Sequence, residues 1–168
     1  VEADSFSWSS AIAACERSGD WAAALALFER LREAGNADTI AVWNAAVSAA
    51  AAGGQLERSL ELLREMRLQG LAPTVRSFNS CLKACERTAS GEVALDLLSE
   101  MPACDVKPDT ISYTSVVSAL GRERQWERAL GVWGAMLDAG VAPDVKALTT
   151  LMYALIAADQ WEKALSIF

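Results

Sequence analysis

Gln125-Trp126-Glu127-Arg128-Ala129-Leu130 returns 35 residues later as Gln160-Trp161-Glu162-Lys163-Ala164-Leu165. Val106-Lys107-Pro108-Asp109 returns at the same interval as Val141-Ala142-Pro143-Asp144. A fixed period of this length marks a repeat architecture. It phases the whole 168-residue chain without a gap, into units 5–39, 40–74, 75–109, 110–144 and a truncated 145–168.

Each unit carries two helical patterns. Its fourth residue is Trp8, Trp43, Phe78, Tyr113 or Leu148; its eighth is Ile12, Val47, Leu82, Val117 or Met152; its eleventh is Cys15, Ala50, Cys85, Leu120 or Leu155. Steps of four and three lie on one face of an α-helix. The second half repeats a small residue (Ala24, Ser59, Ala94, Ala129, Ala164), each followed by Leu25, Leu60, Leu95, Leu130 or Leu165. Phe28, Leu63, Leu98, Trp133 and Phe168 come next, then Leu31, Met66, Met101 and Met136, again at helical spacing. Polar or Gly-bearing turns such as Ser18-Gly19-Asp20 and Gly53-Gly54-Gln55 separate the two helices. Gly35, Gly70, Asp105 and Gly140 follow the second helix, where a left-handed residue commonly ends it. Pro73, Pro108 and Pro143 then bar continuation.

A lone hairpin cannot bury both faces, and stacking buries them continuously. The expected fold is all-α: a right-handed α-solenoid of stacked helix-turn-helix hairpins, about 4.5 repeats in a single helical-repeat domain, 1–168. We expect nine helices in five hairpins, with Leu25, Leu60, Leu95, Leu130 and Leu165 buried. The chain opens four residues before a unit and stops inside a second helix, as an internal piece of a longer array would.

Composition agrees. Ala supplies 32 residues and Pro only 4, and Ala has the lowest helix cost. A hydrophobic fraction of 52% with 22% charged residues suits a packed core and argues against disorder. No run of 18 apolar residues occurs, so no membrane partner is expected. The absence of histidine removes His-based triads and His-ligated zinc. Cys15, Cys81, Cys85 and Cys104 form no metal-ligand spacing and read as reduced structural thiols. No nucleophile–base pair, acidic metal cluster or phosphate loop stands out, so we expect neither catalysis, metal, cofactor nor small-molecule substrate within this chain.

The two helices, the aromatic near the start, Ala-Leu, Met, Gly and the Pro-Asp ending together resemble the pentatricopeptide repeat family, over all 168 residues. The tetratricopeptide repeat is the nearest rival. Its period is 34, and it has Gly where this chain has Ile12, Val47, Leu82, Val117 and Met152.

The resemblance implies single-stranded RNA as partner, read at one base per repeat. It assigns reading to the fifth and last residues of a unit. These are Ser9 with Thr39, Asn44 with Thr74, Asn79 with Asp109, Thr114 with Asp144, and Thr149 without a partner. The family's pairing implies uracil for Asn79/Asp109, guanine for Thr114/Asp144 and a pyrimidine for Asn44/Thr74. Short polar side chains suit the task because they hydrogen-bond without a large entropic cost. The same residue types also cap helices and form turns, and both roles can coexist. The second residue should flank the base: Phe6, Ala41, Arg76, Ile111 and Lys146. Ile111 fits the aliphatic pattern; Arg76 and Lys146 depart from it but can meet phosphate.

The net charge is −7, a poor start for phosphate binding. The charge is uneven, however: residues two to fifteen of the five units sum to +3 and the remainder to −10. Arg17, Arg87 and Arg122 share one position near the end of the first helix, and Lys83 lies close by. They read either as phosphate contacts or as cations favoured by the helix dipole. The recurring tryptophans read as inter-repeat core.

Two functions compete. One is RNA binding that supports organellar RNA processing, stability or translation, in chloroplast or mitochondrion by family resemblance. The other is a structural or protein-docking subunit of an organellar complex such as a ribosome.

Overall fold

A computed structural model describes residues 5–167; the side chains of Ser5, Phe6, Ser7, Ser9, Glu16, Arg17, Trp161, Ser166 and Ile167 lie outside the described residues. Ten helices are present rather than nine: α1 (Ser5–Arg17), α2 (Trp21–Glu33), α3 (Ile40–Ala52), α4 (Leu56–Leu68), α5 (Val75–Thr88), α6 (Gly91–Ala103), α7 (Thr110–Arg122), α8 (Trp126–Asp138), α9 (Val145–Ala157) and α10 (Trp161–Ile167). The last unit, though truncated, completes two turns of its second helix. No strand occurs among the described residues. First helices begin at 5, 40, 75, 110 and 145, and second helices at 21, 56, 91, 126 and 161, so the sequence period is also the structural one. The chain forms two compact units, Val1–Ala84 and Cys85–Phe168, with the division inside α5.

Both kinds of turn depend on a left-handed residue. After the second helix it is Gly35, Gly70, Asp105 or Gly140, at φ 71, 74, 59 and 71°. Within the hairpin it is Gly19, Gly54, Ala89, Arg124 or Asp159, at φ 81, 73, 50, 59 and 59°. Only glycine takes that region freely.

In the first unit α1 packs on α3 and each hairpin closes on itself, while α2 leans on α3. The second unit repeats the plan with α7 on α9 and α6 on α7. Gly121 sets how near α7 and α9 come, since a Cβ there would stand 2.7 Å from the Cβ of Ala154. Trp43 is buried and meets Phe28 edge-on at 4.9 Å between ring centroids.

The small residue of the second helix is the innermost: Ala24, Ser59, Ala94, Ala129 and Ala164 are all buried. The leucine that follows is not. Leu25, Leu60, Leu95 and Leu130 are half-buried, and Leu165 is 65% exposed. A one-residue step turns about 100° around a helix. The buried stripe instead continues three and four residues on, through Leu62 and Leu63 in α4 and through Leu97 in α6, then to Met66 and Met101.

α2 and α4 make no close backbone approach and are joined by side-chain charges. Arg58 donates to Glu29 at 2.5 Å, Glu61 at 3.0 Å and Glu65 at 3.1 Å. Arg32 reaches Glu65 at 2.5 Å and Glu29 at 2.8 Å, closing a ring. Desolvation works against the Arg58 charge, but its bonds to Glu61, Glu29 and Glu65 hold the pKa above the ordinary arginine value. In the second unit Arg128 bridges α8 to Glu92 of α6.

All four cysteines are free; Cys81 and Cys85 are buried, Cys15 and Cys104 half-buried. Burial pushes the Cys85 thiol up from 9.0 to about 12. Its neutral form therefore belongs to the fold. The corresponding stability is fully present below pH 9.0 and is lost as pH rises from there towards 12.

Two outcomes follow from this packing. Leu97→Ala costs roughly 2–5 kcal/mol as a buried truncation and lowers the thermal midpoint more than Leu95→Ala; equal midpoints would refute the buried stripe. At pH 8, iodoacetamide labels Cys15 and Cys104 well before Cys81 and Cys85, and denaturant removes the difference, as mass spectrometry of tryptic peptides would read.

Candidate nucleic-acid interface

The last residue of a unit is the N-cap of the next first helix. Thr39 Oγ1 accepts the Val42 N–H at 3.5 Å, and Asp144 Oδ1 accepts the Ala147 N–H at 2.7 Å. Asp109 forms a complete capping box with Ser112. Thr74 and Ser77 exchange the same two bonds at the start of α5, at 3.0 and 3.4 Å. The capping role anticipated for these residues is therefore real, and it fixes their side chains at the mouth of the helix.

The fifth residues take three different attitudes. Asn44 is half-buried; its Nδ2 donates to Thr74 Oγ1 at 3.3 Å, joining the fifth and last residues of that unit directly. Thr114 is buried, and its hydroxyl turns back onto the Thr110 carbonyl at 2.6 Å. Thr149 is exposed and bonds its own helix backbone at Val145 and Lys146, both at 2.9 Å. Asn79 is buried in the first unit, while Asp109 is half-buried in the second. Asp144 is exposed, and Ser9 lies outside the described residues.

The second residues behave as one class. Ala41, Arg76, Ile111 and Lys146 are all exposed, and Phe6 lies outside the described residues. In the first unit Ala41, Arg76 and Asn44 share an open cleft of about 610 Å³ with Ser10, Ala13, Ile40 and Ala45. A fifth residue thus sits at the floor of a groove bounded by the second residues of its own and the next unit.

The described first-helix layer exposes several cations. Arg76 and Lys83 of the first unit are exposed, as are Arg87, Arg122, Arg124 and Lys146 of the second. Acidic groups of the same layer are turned to structural work. Glu86 accepts from Ser118 at 2.9 Å. Glu123 accepts from the Gly91 N–H at 2.9 Å and from Gln125 at 2.7 Å. Arg122 and Arg124 line a second groove of about 450 Å³ with Thr150 and the exposed ring of Tyr153. Arg17 lies outside the described residues. Among the described residues no cluster of three His, Cys, Asp or Glu groups is placed to hold a metal ion. No described helix is long and apolar enough to cross a membrane.

Sequence reasoning passed over Ser77 and Ser112, the third residues of their units. Their signal was legible as the serine three positions after an N-cap Thr or Asp.

Paired helices in a 35-residue period, with recurring polar residues at the first-helix entry, define a helical-repeat protein of the pentatricopeptide class. The chain belongs to the family described as the pentacotripeptide-repeat region of PRORP, whose model matches residues 3–167. No curated protein sequence matches it. Among solved structures it is similar to the pentatricopeptide domain of Arabidopsis thaliana protein-only RNase P 1 in complex with tRNA. There the TM-score is 0.79 at 21% identity, covering 94% of this chain and 85% of that one. It is similar to the maize pentatricopeptide protein PPR10, with TM-score 0.80 at 28% identity, covering 98% of this chain and 24% of that one. PPR10 in complex with an 18-nucleotide psaJ RNA element gives TM-score 0.82 at 18% identity, covering 96% and 24%. The chain thus spans about a quarter of the PPR10 chain.

Asp144→Ala removes the cap of α9 and lowers stability by about 1 kcal/mol with no RNA present. An unchanged urea midpoint would contradict the capping geometry.

Proposed function

We propose that this chain binds single-stranded RNA at one nucleotide per repeat and reads each base with the fifth and last residues of a unit. The observation that carries the reading is the cleft of the first unit, where Asn44 lies between Ala41 and Arg76 and bonds Thr74. A base edge meeting Asn44 finds a hydrogen-bonding amide, and the flanking side chains hold its faces. Exposed Arg76, Lys83, Arg87, Arg122 and Lys146 supply the phosphate attraction that a net charge of −7 withholds elsewhere. Phe6, Ile111, Thr39, Ser9, Arg17 and Thr149 take the corresponding roles in their own units. The family's pairing gives a pyrimidine for Asn44 with Thr74, and guanine for Thr114 with Asp144. By register it gives uracil where Asn79 and Asp109 read.

In this reading the chain supplies recognition and not catalysis, and needs no cofactor. Organellar RNA processing, stability or translation is the setting that the resemblance implies; one matched protein-only RNase P is nuclear. A second reading has its own support. The matching family model is that of PRORP, and the PRORP1 domain is seen with tRNA, which makes a folded RNA the competing ligand.

The test is competition binding to the full chain at two salt concentrations, with unpaired oligonucleotides against a folded tRNA. Unpaired RNA wins, affinity falls steeply with salt, and base preference does not. Thr114→Asn moves the preference at its nucleotide from guanine towards uracil by roughly 1–2 kcal/mol. Preference for tRNA would favour the second reading. Failure to bind either RNA would overturn both and leave a protein-docking subunit as the better account.

A further inference from the structure

We infer that Ser77, the third residue of its unit, is a positioning residue for base reading at Asn44 of the unit before it, and that the third position governs how sharply the preceding unit discriminates. This rests on the RNA reading proposed above.

Ser77 is fully buried, yet three polar groups converge on its hydroxyl. Its Oγ stands 2.5 Å from Asn44 Oδ1 and 3.1 Å from Thr74 Oγ1, and accepts the Thr74 N–H at 3.0 Å. Thr74 Oγ1 accepts Asn44 Nδ2 at 3.3 Å and the Ser77 N–H at 3.4 Å. Ser77 has one proton to give. The Asn44 carbonyl oxygen can only accept, so that proton goes to it. Thr74 then gives its own proton to Ser77. The three side chains form a ring of donated bonds with a single direction, and both hydroxyls are saturated.

The ring decides what Asn44 offers. A free amide rotates and shows a base its oxygen or its nitrogen with little preference. Held by Ser77, the amide keeps Oδ1 turned inward and leaves its outward capacity on the nitrogen. A group of either polarity becomes a directional one, and its rotational entropy is lost on folding instead of on binding.

The other units vary this theme. Ser112 holds Asp109 in the same manner, giving both its N–H and its hydroxyl proton to Oδ1 at 2.9 Å. At Asp144 the third residue is Ala147, and only its backbone N–H, at 2.7 Å, restrains the carboxylate.

The experiment measures binding of the full chain to RNA oligonucleotides changed one nucleotide at a time. Ser77→Ala reduces the preference between first and second base at the nucleotide facing Asn44 by about fivefold. The preference at the nucleotide facing Thr114 stays as it was, and Ser77→Thr restores the parental ranking. Ala147→Ser gives Asp144 the missing hydroxyl and sharpens discrimination at the nucleotide facing Thr114 by about threefold. If Ser77→Ala weakens every RNA by one common factor, Ser77 is a helix cap and the inference fails. Where Ser77→Ala does not fold, Ala147→Ser decides: an unchanged ranking there overturns it. A parental chain with no single-nucleotide preference overturns the RNA reading and this inference together; a parental preference that neither variant alters overturns this inference alone.

Discussion

Side-by-side packing of first helices is the constraint on which the rest depends. α1 lies against α3 and α7 against α9, and in the second unit the contact closes until Gly121 meets Ala154. Because each first helix begins 35 residues after the last, packing in register places equivalent residues in equivalent surroundings. Described second residues come out exposed, fourth and eighth residues mostly go in, and fifth residues range from buried to exposed. In the first unit, the cleft flanked by Ala41 and Arg76 is a consequence of that register.

The same economy governs the polar residues. A first helix needs a side-chain acceptor at its entry, because its leading N–H groups have no partner within the helix. Thr39, Thr74, Asp109 and Asp144 meet that need, and in doing so they are held still at the entries of their helices. In the proposed reading, stability and recognition draw on one set of atoms. Asn44 shows the overlap most fully: its amide completes a capping network and still borders open space.

Much of this was legible in the sequence. The period, both helical faces and the left-handed sites at Gly35, Gly70, Asp105 and Gly140 all follow from spacing and residue type, and the helices bear them out. The leucines after Ala24, Ser59, Ala94, Ala129 and Ala164 misled because hydrophobicity marks a stripe, not its centre. The small residue beside each leucine marks the close contact. The expected count of nine left out the second helix of the truncated unit, although the recurrence at Gln160-Trp161-Glu162-Lys163-Ala164-Leu165 already marked it. In the candidate site, residue types were readable but attitudes were not. Thr114 and Thr149 are the same residue at the same position, yet one is buried and the other exposed. Surroundings that differ between units decide this, and a repeat pattern averages them away.

The ring of Glu29, Arg58, Glu65 and Arg32 has a mechanical meaning. Within the first unit, α1 and α3 meet as close-packed bodies, whereas α2 and α4 are tied by long side chains across a gap. A dispersion contact stiffens against any displacement. A charged tether yields over ångströms and weakens as ions screen it. The first unit therefore has a rigid spine and an elastic back. Added salt loosens the tie between α2 and α4 and leaves the α1–α3 contact as it was.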